Sequence, residues 1–343
     1  MKIMKKLLCI VLTVMMLLPV IPAELAEAAA KTAAPAYNGK WTYYAVYNTI
    51  YKLNSETGTA KKVKEVRDAS FVTDISYYNG YLYFSTNYYQ GSDSSDYYVC
   101  RMEADGTSFK KLGRGCRPVI YDKKIYYLQT KHVNTEEGSY DDVKGIAVMS
   151  LSGKNSKLLV KSSATNFMRW SIGATAGKIY YTKYLASTDK YVAMTYDLKT
   201  GKTEKLFTKA SDIEFVNADA SYVYYNMSGF DGDSAGVYKI ETGALAEVTY
   251  PHGICVLGGK NGKAYFSRYD TFSTYAYDSV KNKVTMVISN KYLSSMIQSK
   301  SGYYVFQSSM TQEEFEKTGY DVAMVRMKLD GTGYKILKKY FVP

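Results

Sequence analysis

Few side chains in this sequence have the types and the spacing that catalysis requires. Its 343 residues include only two histidines, His132 and His252, and no Gly-x-Ser-x-Gly elbow of the kind that presents a catalytic serine. The segment GATAGK at residues 173–178 resembles a phosphate-binding loop, but it is one residue short and fits a hairpin turn better. We therefore predict neither a nucleophilic triad nor a nucleotide site.

Carboxylates offer two other kinds of chemistry. Asp231 and Asp233 stand in the segment Asp-Gly-Asp-Ser and could give oxygen ligands to Ca²⁺, although the bidentate glutamate of a calcium loop is missing. The acidic pairs at residues 136–137 and 313–314 could serve a glycoside hydrolase, which needs two carboxylates flanking the scissile bond. The acidic pairs lie in predicted loops, where carboxylates are usually solvated. Asp231 and Asp233 are the candidate metal ligands, and no cofactor is predicted.

Tyrosine is the most over-represented residue, with 37 Tyr against 12 Phe and 2 Trp. Tyrosine suits strands that are apolar on one face and wet on the other, so abundant half-exposed strand is one explanation. The other is an aromatic contact surface for a protein or a glycan. The candidate binding residues are the tyrosines in and beside the predicted long loops: Tyr88, Tyr89, Tyr97, Tyr98, Tyr140, Tyr184 and Tyr269.

The first thirty residues have the pattern of an export signal. A lysine-rich start precedes an apolar run from Leu7 to Val20, and an alanine-rich stretch then offers cleavage sites. We predict that residues 1–30 are a signal peptide, which is removed, and that residues 31–36 are a short linker. The mature protein is expected to be secreted and able to associate with the cell wall. The apolar run is too short for a convincing membrane span.

The chain is basic, with 44 Lys and Arg against 32 Asp and Glu. An exported basic protein meets anionic cell-wall polymers more often than nucleic acid, so electrostatic contact with such polymers is one predicted interaction and nucleic acid is not a predicted partner. Three cysteines follow the signal peptide, and an odd number cannot all pair within one chain. No disulfide framework is predicted, and pairing of Cys100 with Cys116 stays open.

One unit recurs along the whole chain. Residues 76–112 contain a strand, an Asn-Gly turn, a strand, a polar loop, a strand, an Asp-Gly turn and a strand. The Gly-containing pairs supply the positive φ angles that two-residue hairpin turns need. The turn and second strand of this unit occur at seven places: Gly39–Tyr44, Asn79–Phe84, Asp122–Tyr127, Gly177–Tyr181, Ser221–Tyr225, Gly262–Phe266 and Gly302–Phe306.

A repeat of roughly forty to fifty-odd residues with four short strands is typical of a β-propeller blade. A ring of blades buries both faces of each sheet and leaves only short edges. A β-sandwich would not explain one period that persists from residue 39 to residue 334, and a β-solenoid needs shorter, parallel-strand repeats. We predict an all-β fold, a single β-propeller of four-stranded antiparallel blades over residues 37–343, with seven blades favoured over six or eight.

The order of strands within a repeat predicts where a partner binds. The strand before the Asn-Gly turn should be innermost, so the long loops between second and third strands all emerge on one face. We predict that this loop face binds the partner. Two carboxylates that converge near the axis on rigid inner strands would instead favour an enzyme that acts on carbohydrate.

The segments MEADGTSFKKL at residues 102–112 and MKLDGTGYKIL at residues 327–337, with the recurring Gly-x-Ile-Tyr-Tyr strand, resemble a known family. It is a secreted bacterial β-propeller family, catalogued as a domain of unknown function and similar to low-density-lipoprotein-receptor-related-protein-like propellers. The resemblance implies an extracellular binding or scaffolding module. This chain lacks the Tyr-Trp-Thr-Asp signature of the receptor propellers and has seven repeats where those have six.

These features together predict a secreted binding or scaffold propeller that engages an extracellular protein or a cell-surface glycan through its loop face. The scarcity of catalytic motifs predicts that the chain is not an enzyme. The alternative is a carbohydrate-active enzyme, either a glycoside hydrolase or a lyase, with a carboxylate site at the centre of the ring.

Overall fold

The structure, a computed structural model, describes residues 33–89, 95–135, 138–299, 302–320 and 322–340. Over these ranges it contains 28 β-strands and one short helix. The predicted signal peptide lies outside the described residues. None of the helices in the described ranges has the length and apolar character to cross a membrane.

The strands form seven four-stranded antiparallel sheets, which we call blades I to VII, and each sheet takes its strands in chain order. Blade I holds β1 (Tyr37–Asn38), β2 (Trp41–Val46), β3 (Thr49–Asn54) and β4 (Ala60–Glu65). Blade II holds β5 (Phe71–Tyr78), β6 (Tyr81–Tyr89), β7 (Ser95–Glu103) and β8 (Lys110–Arg114). Blade III holds β9 (Cys116–Tyr121), β10 (Lys124–Thr135), β11 (Gly138–Ser150) and β12 (Lys157–Lys161).

The remaining four blades continue this order. Blade IV holds β13 (Asn166–Thr175), β14 (Lys178–Leu185), β15 (Lys190–Asp197) and β16 (Thr203–Lys209). Blade V holds β17 (Asp212–Ala218), β18 (Tyr222–Gly229), β19 (Gly232–Lys239) and β20 (Ala244–Tyr250). Blade VI holds β21 (Ile254–Lys260), β22 (Lys263–Arg268), β23 (Ser273–Asp278) and β24 (Lys283–Ile288). Blade VII holds β25 (Leu293–Gln298), β26 (Tyr304–Ser309), β27 (Val322–Met327) and β28 (Lys335–Tyr340), with helix α1 (Gln312–Thr318) between its middle strands.

The prediction of a seven-bladed, all-β propeller is therefore confirmed. The first strand of each blade lines a central channel, and the fourth lies at the outer edge of its sheet. The hairpin turns have the predicted chemistry: Asn79 and Gly80 take φ angles of 47° and 86° between β5 and β6. The segment that resembles a phosphate loop is likewise a hairpin, because Ala176 and Gly177, with φ angles of 49° and 74°, turn β13 into β14.

Seven apolar cores hold the ring together, one between each pair of neighbouring blades. The second strand of each blade contributes side chains to two of these cores, because consecutive side chains point to opposite faces of a sheet. Tyr83 lies in the core between blades II and III, and Phe84 lies in the core between blades I and II. Four further pairs do the same: Tyr126 and Tyr127, Tyr180 and Tyr181, Tyr224 and Tyr225, and Tyr265 and Phe266.

The abundance of tyrosine has two sources, because many tyrosines are buried in the cores and a similar number are half-buried in strands, as the sequence suggested. Tyr180 and Tyr224 are only 1% and 0% exposed. Such tyrosines are buried because every blade is covered on both faces. Buried phenol groups still need hydrogen-bond partners: Tyr224 donates to the Asp219 carboxylate over 2.7 Å and accepts from the Gly262 N–H over 2.9 Å.

Polar contacts near the channel join one blade to the next. The Ser85 hydroxyl accepts from the Arg117 N–H over 2.8 Å between blades II and III. The Asn217 amide makes two bonds to the backbone of Gly259, of 2.7 and 3.0 Å, between blades V and VI. The Ser267 hydroxyl accepts from the Leu293 N–H over 2.9 Å between blades VI and VII.

The ring closes between blades VII and I without any exchange of strands. The Arg326 guanidinium donates to the Ser55 carbonyl and, over 2.7 Å, to the Glu56 carbonyl. The core at this junction has four buried residues, fewer than any other junction in the described chain: Tyr44, Leu53, Val305 and Met324. Cys100, Cys116 and Cys255 are free, so the pairing of Cys100 with Cys116 is not formed.

Candidate functional site

One end of the ring carries both the loops between second and third strands and the connections from each blade to the next. We call this end the loop face. The opposite end, which we call the turn face, carries the hairpin turns between first and second strands and between third and fourth strands. The loop face is the surface on which the sequence predicted a binding site.

Exposed aromatic side chains concentrate on the loop face. Among the described residues, eight large apolar side chains are well exposed, and only Val280 and Met286 lie off this face. The other six are Phe71 and Phe167 at the starts of inner strands, Phe230 and Tyr269 in hairpin loops, and Phe315 and Tyr320 in and just after helix α1. These six side chains are therefore the apolar groups of the loop face that a partner could contact.

Two of the predicted tyrosines belong to this surface. Tyr269 is 59% exposed, and its ring packs 4.9 Å from the ring of Tyr292. Tyr184 is half-buried, stacks 6.1 Å from Phe167, and donates its hydroxyl proton to Asp189 over 2.8 Å. Packing against a neighbouring ring holds each side chain in place, which lowers the entropy that a partner must remove on binding.

Like Tyr184, the other five predicted tyrosines lie in strands. Four of them do so because the hairpin of β6 and β7 extends to the pair Tyr89 and Ser95. The rings of Tyr88 and Tyr98 hold the Lys111 ammonium between them, at 3.7 and 4.3 Å from their centroids. Tyr97 packs 5.2 Å from Trp170. Tyr89 lies in β6 and Tyr140 in β11, and their side chains are outside the described part of the chain.

The two predicted metal ligands are not brought together with a third ligand in the described structure. Asp231 is exposed in the two-residue turn between β18 and β19. Asp233 instead accepts a hydrogen bond from the Ile254 N–H over 3.2 Å, which links blade V to blade VI.

The central channel has a volume of about 820 Å³. Most of its wall is small or apolar, and residues 33–37 contribute to the wall at the turn face. This segment, predicted as part of a linker, is bound by backbone hydrogen bonds to four successive blades, including 2.8 Å from the Ala34 N–H to the Ile120 carbonyl and 2.7 Å from the Tyr77 N–H to the Pro35 carbonyl. The segment therefore forms part of the channel wall at the turn face.

Three charged residues from three inner strands meet beside the channel, whose wall includes Asp74 and Arg117. The Arg117 guanidinium lies 3.1 Å from an oxygen of Asp74 and 3.6 Å from an oxygen of Glu214. The side chains of Asp74, Arg117 and Glu214 are 18%, 42% and 49% exposed, so the group keeps contact with solvent. Asp74 is further fixed by the hydroxyls of Thr73 and Ser85, at 2.7 and 3.1 Å.

β-bulges aim two of these side chains into the channel. Asp74 and Arg117 have φ angles of 56° and 54°, and the register of their strands shifts at these positions. A bulge redirects the side chain of its extra residue, which is how a charged group leaves an otherwise apolar strand face.

The electrostatics of this group follow from one cation between two anions. Attraction to Asp74, and then to Glu214, raises the pKa of Arg117 above its usual value. The guanidinium therefore stays charged, and the group as a whole carries a net negative charge when both carboxylates are ionised. Such an arrangement can donate and accept hydrogen bonds to a polyhydroxylated or peptidic ligand.

Sequence reasoning missed Asp74, Arg117 and Glu214, because the three are separated by 43 and 97 positions in the chain. The available signal was a charge inside an otherwise apolar or aromatic inner strand, as in FVTDISYY for β5. That signal identifies channel-lining positions only once the ring is known.

Comparison with known proteins identifies the fold. No protein-family model matches the chain, and none of the curated proteins compared with it is similar. The solved structures that are similar in fold include two peptidases and the propeller domain of a protease. The puromycin-hydrolyzing peptidase of Mycobacterium tuberculosis is 11% identical, with a TM-score of 0.59 over 94% of this chain and 56% of that chain. The β-propeller domain of the Trilobed protease of Pyrococcus furiosus, described as having an open velcro topology, is 12% identical, with a TM-score of 0.57 over 91% of this chain and 99% of that one.

The acylaminoacyl peptidase of Pyrococcus horikoshii is 13% identical, with a TM-score of 0.57 over 92% of this chain and 54% of that chain. The present chain thus spans little more than half the length of the two whole peptidases. At these identities the likeness establishes the fold alone. The resemblance to receptor-related propellers is accordingly supported as a β-propeller, and no further.

The comparisons correct one prediction. We predicted from the scarcity of catalytic motifs that the chain is not an enzyme, and the similar solved propellers belong to peptidases. The inference was wrong because a propeller can be part of an enzyme without carrying a recognisable catalytic motif in its own repeats. Asp74 and Glu214 are carboxylates on inner strands that contact one guanidinium, and carboxylates on inner strands are the feature that the sequence analysis tied to an enzyme.

Proposed function

We propose that this protein is an exported propeller that binds an extracellular protein or a cell-surface glycan on its loop face. The concentration of exposed aromatic side chains on that face supports the proposal. Aromatic rings bury a large area for little loss of side-chain entropy, and they stack equally well on sugar rings and on apolar peptide groups. The channel mouth, with Asp74, Arg117 and Glu214, supplies polar contacts at the centre of the same face.

Phe230 and Tyr269 are the best anchors with which to test this proposal. They lie in neighbouring loops of blades V and VI and are among the most exposed aromatics of the described chain. Binding of the mature protein to purified cell-wall glycans and to isolated surface proteins should be measured at low and at high salt. We expect binding that survives high salt and weakens about tenfold with Phe230→Ala or Tyr269→Ala.

Met286→Ala and Val280→Ala are the matched controls, because both side chains are exposed and apolar but lie off the loop face. They should leave binding unchanged. Equal losses in all four variants, or binding that disappears at high salt, would contradict recognition through the loop-face aromatics.

A second candidate function rests on a separate observation. Asp74 and Glu214 project from inner strands toward one guanidinium, and a carbohydrate-active enzyme needs two carboxylates held on a rigid frame across its substrate. A glycoside hydrolase or lyase acting in the channel is therefore the alternative to binding alone.

Release of reducing ends from cell-wall glycans tests this alternative. Turnover that is lost with both Asp74→Asn and Glu214→Gln, and retained with Glu313→Gln, would support it. Glu313 is a suitable control because it is an exposed carboxylate of the loop face that pairs with Lys317 on its own helix. Absence of turnover in the unmodified protein would remove this candidate and leave the loop-face proposal standing.

A further inference from the structure

A second charged cluster lies on the loop face between blades II and III. Asp96 at the start of β7 and Arg114 at the end of β8 face His132 of β10 and Asp141 of β11. The Arg114 guanidinium donates to Asp96 and, over 3.0 Å, to Oδ1 of Asp141. Nδ1 of His132 lies 3.6 Å from Oδ1 of Asp96 and 3.5 Å from Oδ1 of Asp141.

The two carboxylates are buried and held in place. The side chains of Asp96 and Asp141 are 8% and 0% exposed. Oδ2 of Asp141 accepts from the Tyr97 N–H over 3.2 Å and from the Thr130 hydroxyl over 2.9 Å, which turns Oδ1 toward His132 and Arg114. Asp141 is therefore fixed by groups from both blades before any ligand is considered.

Two carboxylates face one guanidinium in this cluster, and buried charged groups are costly unless they are paired. His132 is too far from both carboxylates for a normal N–H···O bond, which spans about 2.7 to 3.2 Å. The imidazole nitrogen and the two carboxylate oxygens therefore stand at a spacing that a shared cation would bridge.

We propose that Asp96, His132 and Asp141 bind a divalent first-row transition metal ion, with Zn²⁺ the best fit. One ligand atom from each residue lies within 4.8 Å of the other two. Two ligand atoms at about 2.1 Å from a tetrahedral zinc ion are about 3.4 Å apart, close to the spacing of His132 from each carboxylate. An imidazole with two carboxylates is a ligand set that Zn²⁺ accepts, whereas Ca²⁺ and Mg²⁺ favour oxygen alone.

Arg114 would act as an outer partner of the metal site. Each Oδ1 atom has two lone pairs, so it can accept from the guanidinium on one side and bind the ion on the other. Hydrogen bonds to ligating carboxylates orient them and tune the affinity for the metal. Because the His132 side chain is 33% exposed, the fourth position of the ion would open to solvent on the loop face.

Titration of the mature protein with Zn²⁺ after treatment with a chelator tests the proposal. We expect one ion per chain by calorimetry and by elemental analysis. His132→Ala should weaken the affinity at least tenfold, and Asp141→Asn should do the same. His252→Ala is the matched control, because it removes the only other imidazole of the chain and should leave the affinity unchanged.

Asp141 is buried, and its variant could fail to fold, so the decisive variant is that of the partly exposed His132. Zinc bound equally well by His132→Ala, or lost equally in His252→Ala, would overturn the proposal. So would a chelator-treated protein that binds no zinc. In that case the cluster is an ion network that joins blades II and III.

Discussion

At the scale of single residues, burial decides which groups are chemically active. Cys100 and Cys116 are buried among apolar side chains, and burial raises the pKa of the Cys100 thiol to about 11. The pKa of Cys116 is raised well above its usual value for the same reason. By contrast, Arg117 with its two carboxylates and His132 with its two carboxylates keep contact with solvent. The reactive polar groups are therefore those of the channel and the loop face, and the thiols are structural.

The thiols should resist alkylation in the folded protein. With a pKa near 11, about one Cys100 in a thousand is a thiolate at pH 8, and the thiolate is the reactive form. We expect Cys100 and Cys116 to stay unmodified by iodoacetamide at pH 8 in buffer, and all three cysteines of the described chain to react in concentrated urea. Mass spectrometry of the peptides measures this. Rapid labelling of Cys116 in buffer would show that its core opens.

The same burial makes stability depend on pH in the alkaline range. The folded pKa of Cys100 exceeds that of an unfolded thiol, about 8.5, so the stabilisation is fully present below pH 8.5 and is lost as the pH rises toward 11. Tyr126, Tyr181 and Tyr265, whose pKa values burial raises to about 12, extend the loss from pH 10 upward. We expect the urea midpoint to fall steadily between pH 9 and pH 12. A flat midpoint over this range would contradict the burial of these groups.

At the scale of elements, the inner strands combine close packing with the candidate site. Gly173 of β13 lies against the ring of Phe215 from the next blade, and a Cβ atom at Gly173 would come within 1.9 Å of that ring. Gly259 of β21 lies against the ring of Tyr224 from the second strand of the preceding blade, where an added Cβ atom would come within 2.0 Å. Neighbouring blades approach one another this closely because the inner strands lie at the narrowest radius of the ring. The same strands carry the bulges that aim Asp74 and Arg117 into the channel.

Gly173→Ala should therefore destabilise the protein by about 2 kcal/mol or more, as expected for overpacking against a rigid aromatic ring. Gly113→Ala is the control, because the nearest neighbour of its added Cβ atom would be 3.8 Å away and its backbone is not left-handed. Urea denaturation compares the two. A Gly173→Ala protein as stable as Gly113→Ala would show that Phe215 moves freely.

At the scale of the whole molecule, the ring has one distinctive junction. Six junctions join blades that are continuous in the chain, whereas blades VII and I meet through Arg326 and a core of four buried residues. Arg101 of blade II has the equivalent position and donates to the Leu151 carbonyl of blade III over 3.1 Å. The two arginines make the same kind of contact, but only one of them closes the ring.

Arg326→Met should cost about 2 kcal/mol of the free energy of unfolding, because it removes charge-assisted hydrogen bonds to two carbonyls. Arg101→Met should cost less, since the chain itself and a larger core also hold blades II and III together. Hydrogen exchange should show faster opening of β2, β3, β26 and β27 in Arg326→Met alone. Equal effects of the two changes would indicate that closure does not limit stability.

The outer edge of the ring is electrostatically uneven. Blades VII, I and II each place two basic residues directly opposite on neighbouring strands: Arg326 and Lys335, Lys52 and Lys61, and Arg101 and Lys110. Like charges in such positions destabilise a sheet. We call the outer strands of these blades the basic arc, and their basic residues are Lys61, Lys62, Lys64, Lys110, Lys111, Arg114, Lys335, Lys338 and Lys339, against the single acidic residue Glu65.

The basic arc gives a test of the predicted contact with anionic cell-wall polymers. We expect retention of the mature protein on a phosphate-bearing polymer that falls steeply with salt. A variant that combines Lys61→Gln, Lys110→Gln and Lys335→Gln should elute at clearly lower salt than the unmodified protein. Lys157→Gln, Lys205→Gln and Lys283→Gln together are the control, with the same loss of charge from blades III, IV and VI. Equal shifts would mean that net charge, and not the basic arc, drives retention.

The sequence alone determined the architecture, because the cause of that architecture is local and repeated. Each Gly turn with its positive φ angle, and each alternation such as Tyr81 to Phe84, can be recognised within a few residues, and seven copies of one unit leave few folds open. Tyr269 could be placed on the loop face by the same argument. The sequence could not show that Tyr88 and Tyr98 lie in a lengthened hairpin around Lys111, because loop length depends on packing against neighbouring blades.

The tertiary structure alone decided which charged residues meet. Asp74, Arg117 and Glu214 come from blades II, III and V, and Asp96, His132 and Asp141 come from strands on both sides of one junction. Ring closure brings such distant positions together, and bulges rotate their side chains by amounts that no local pattern encodes. The physical reason is that hydrogen bonds and alternation act between near neighbours, whereas a site at the centre or the mouth of a ring exists only when all the blades are in place.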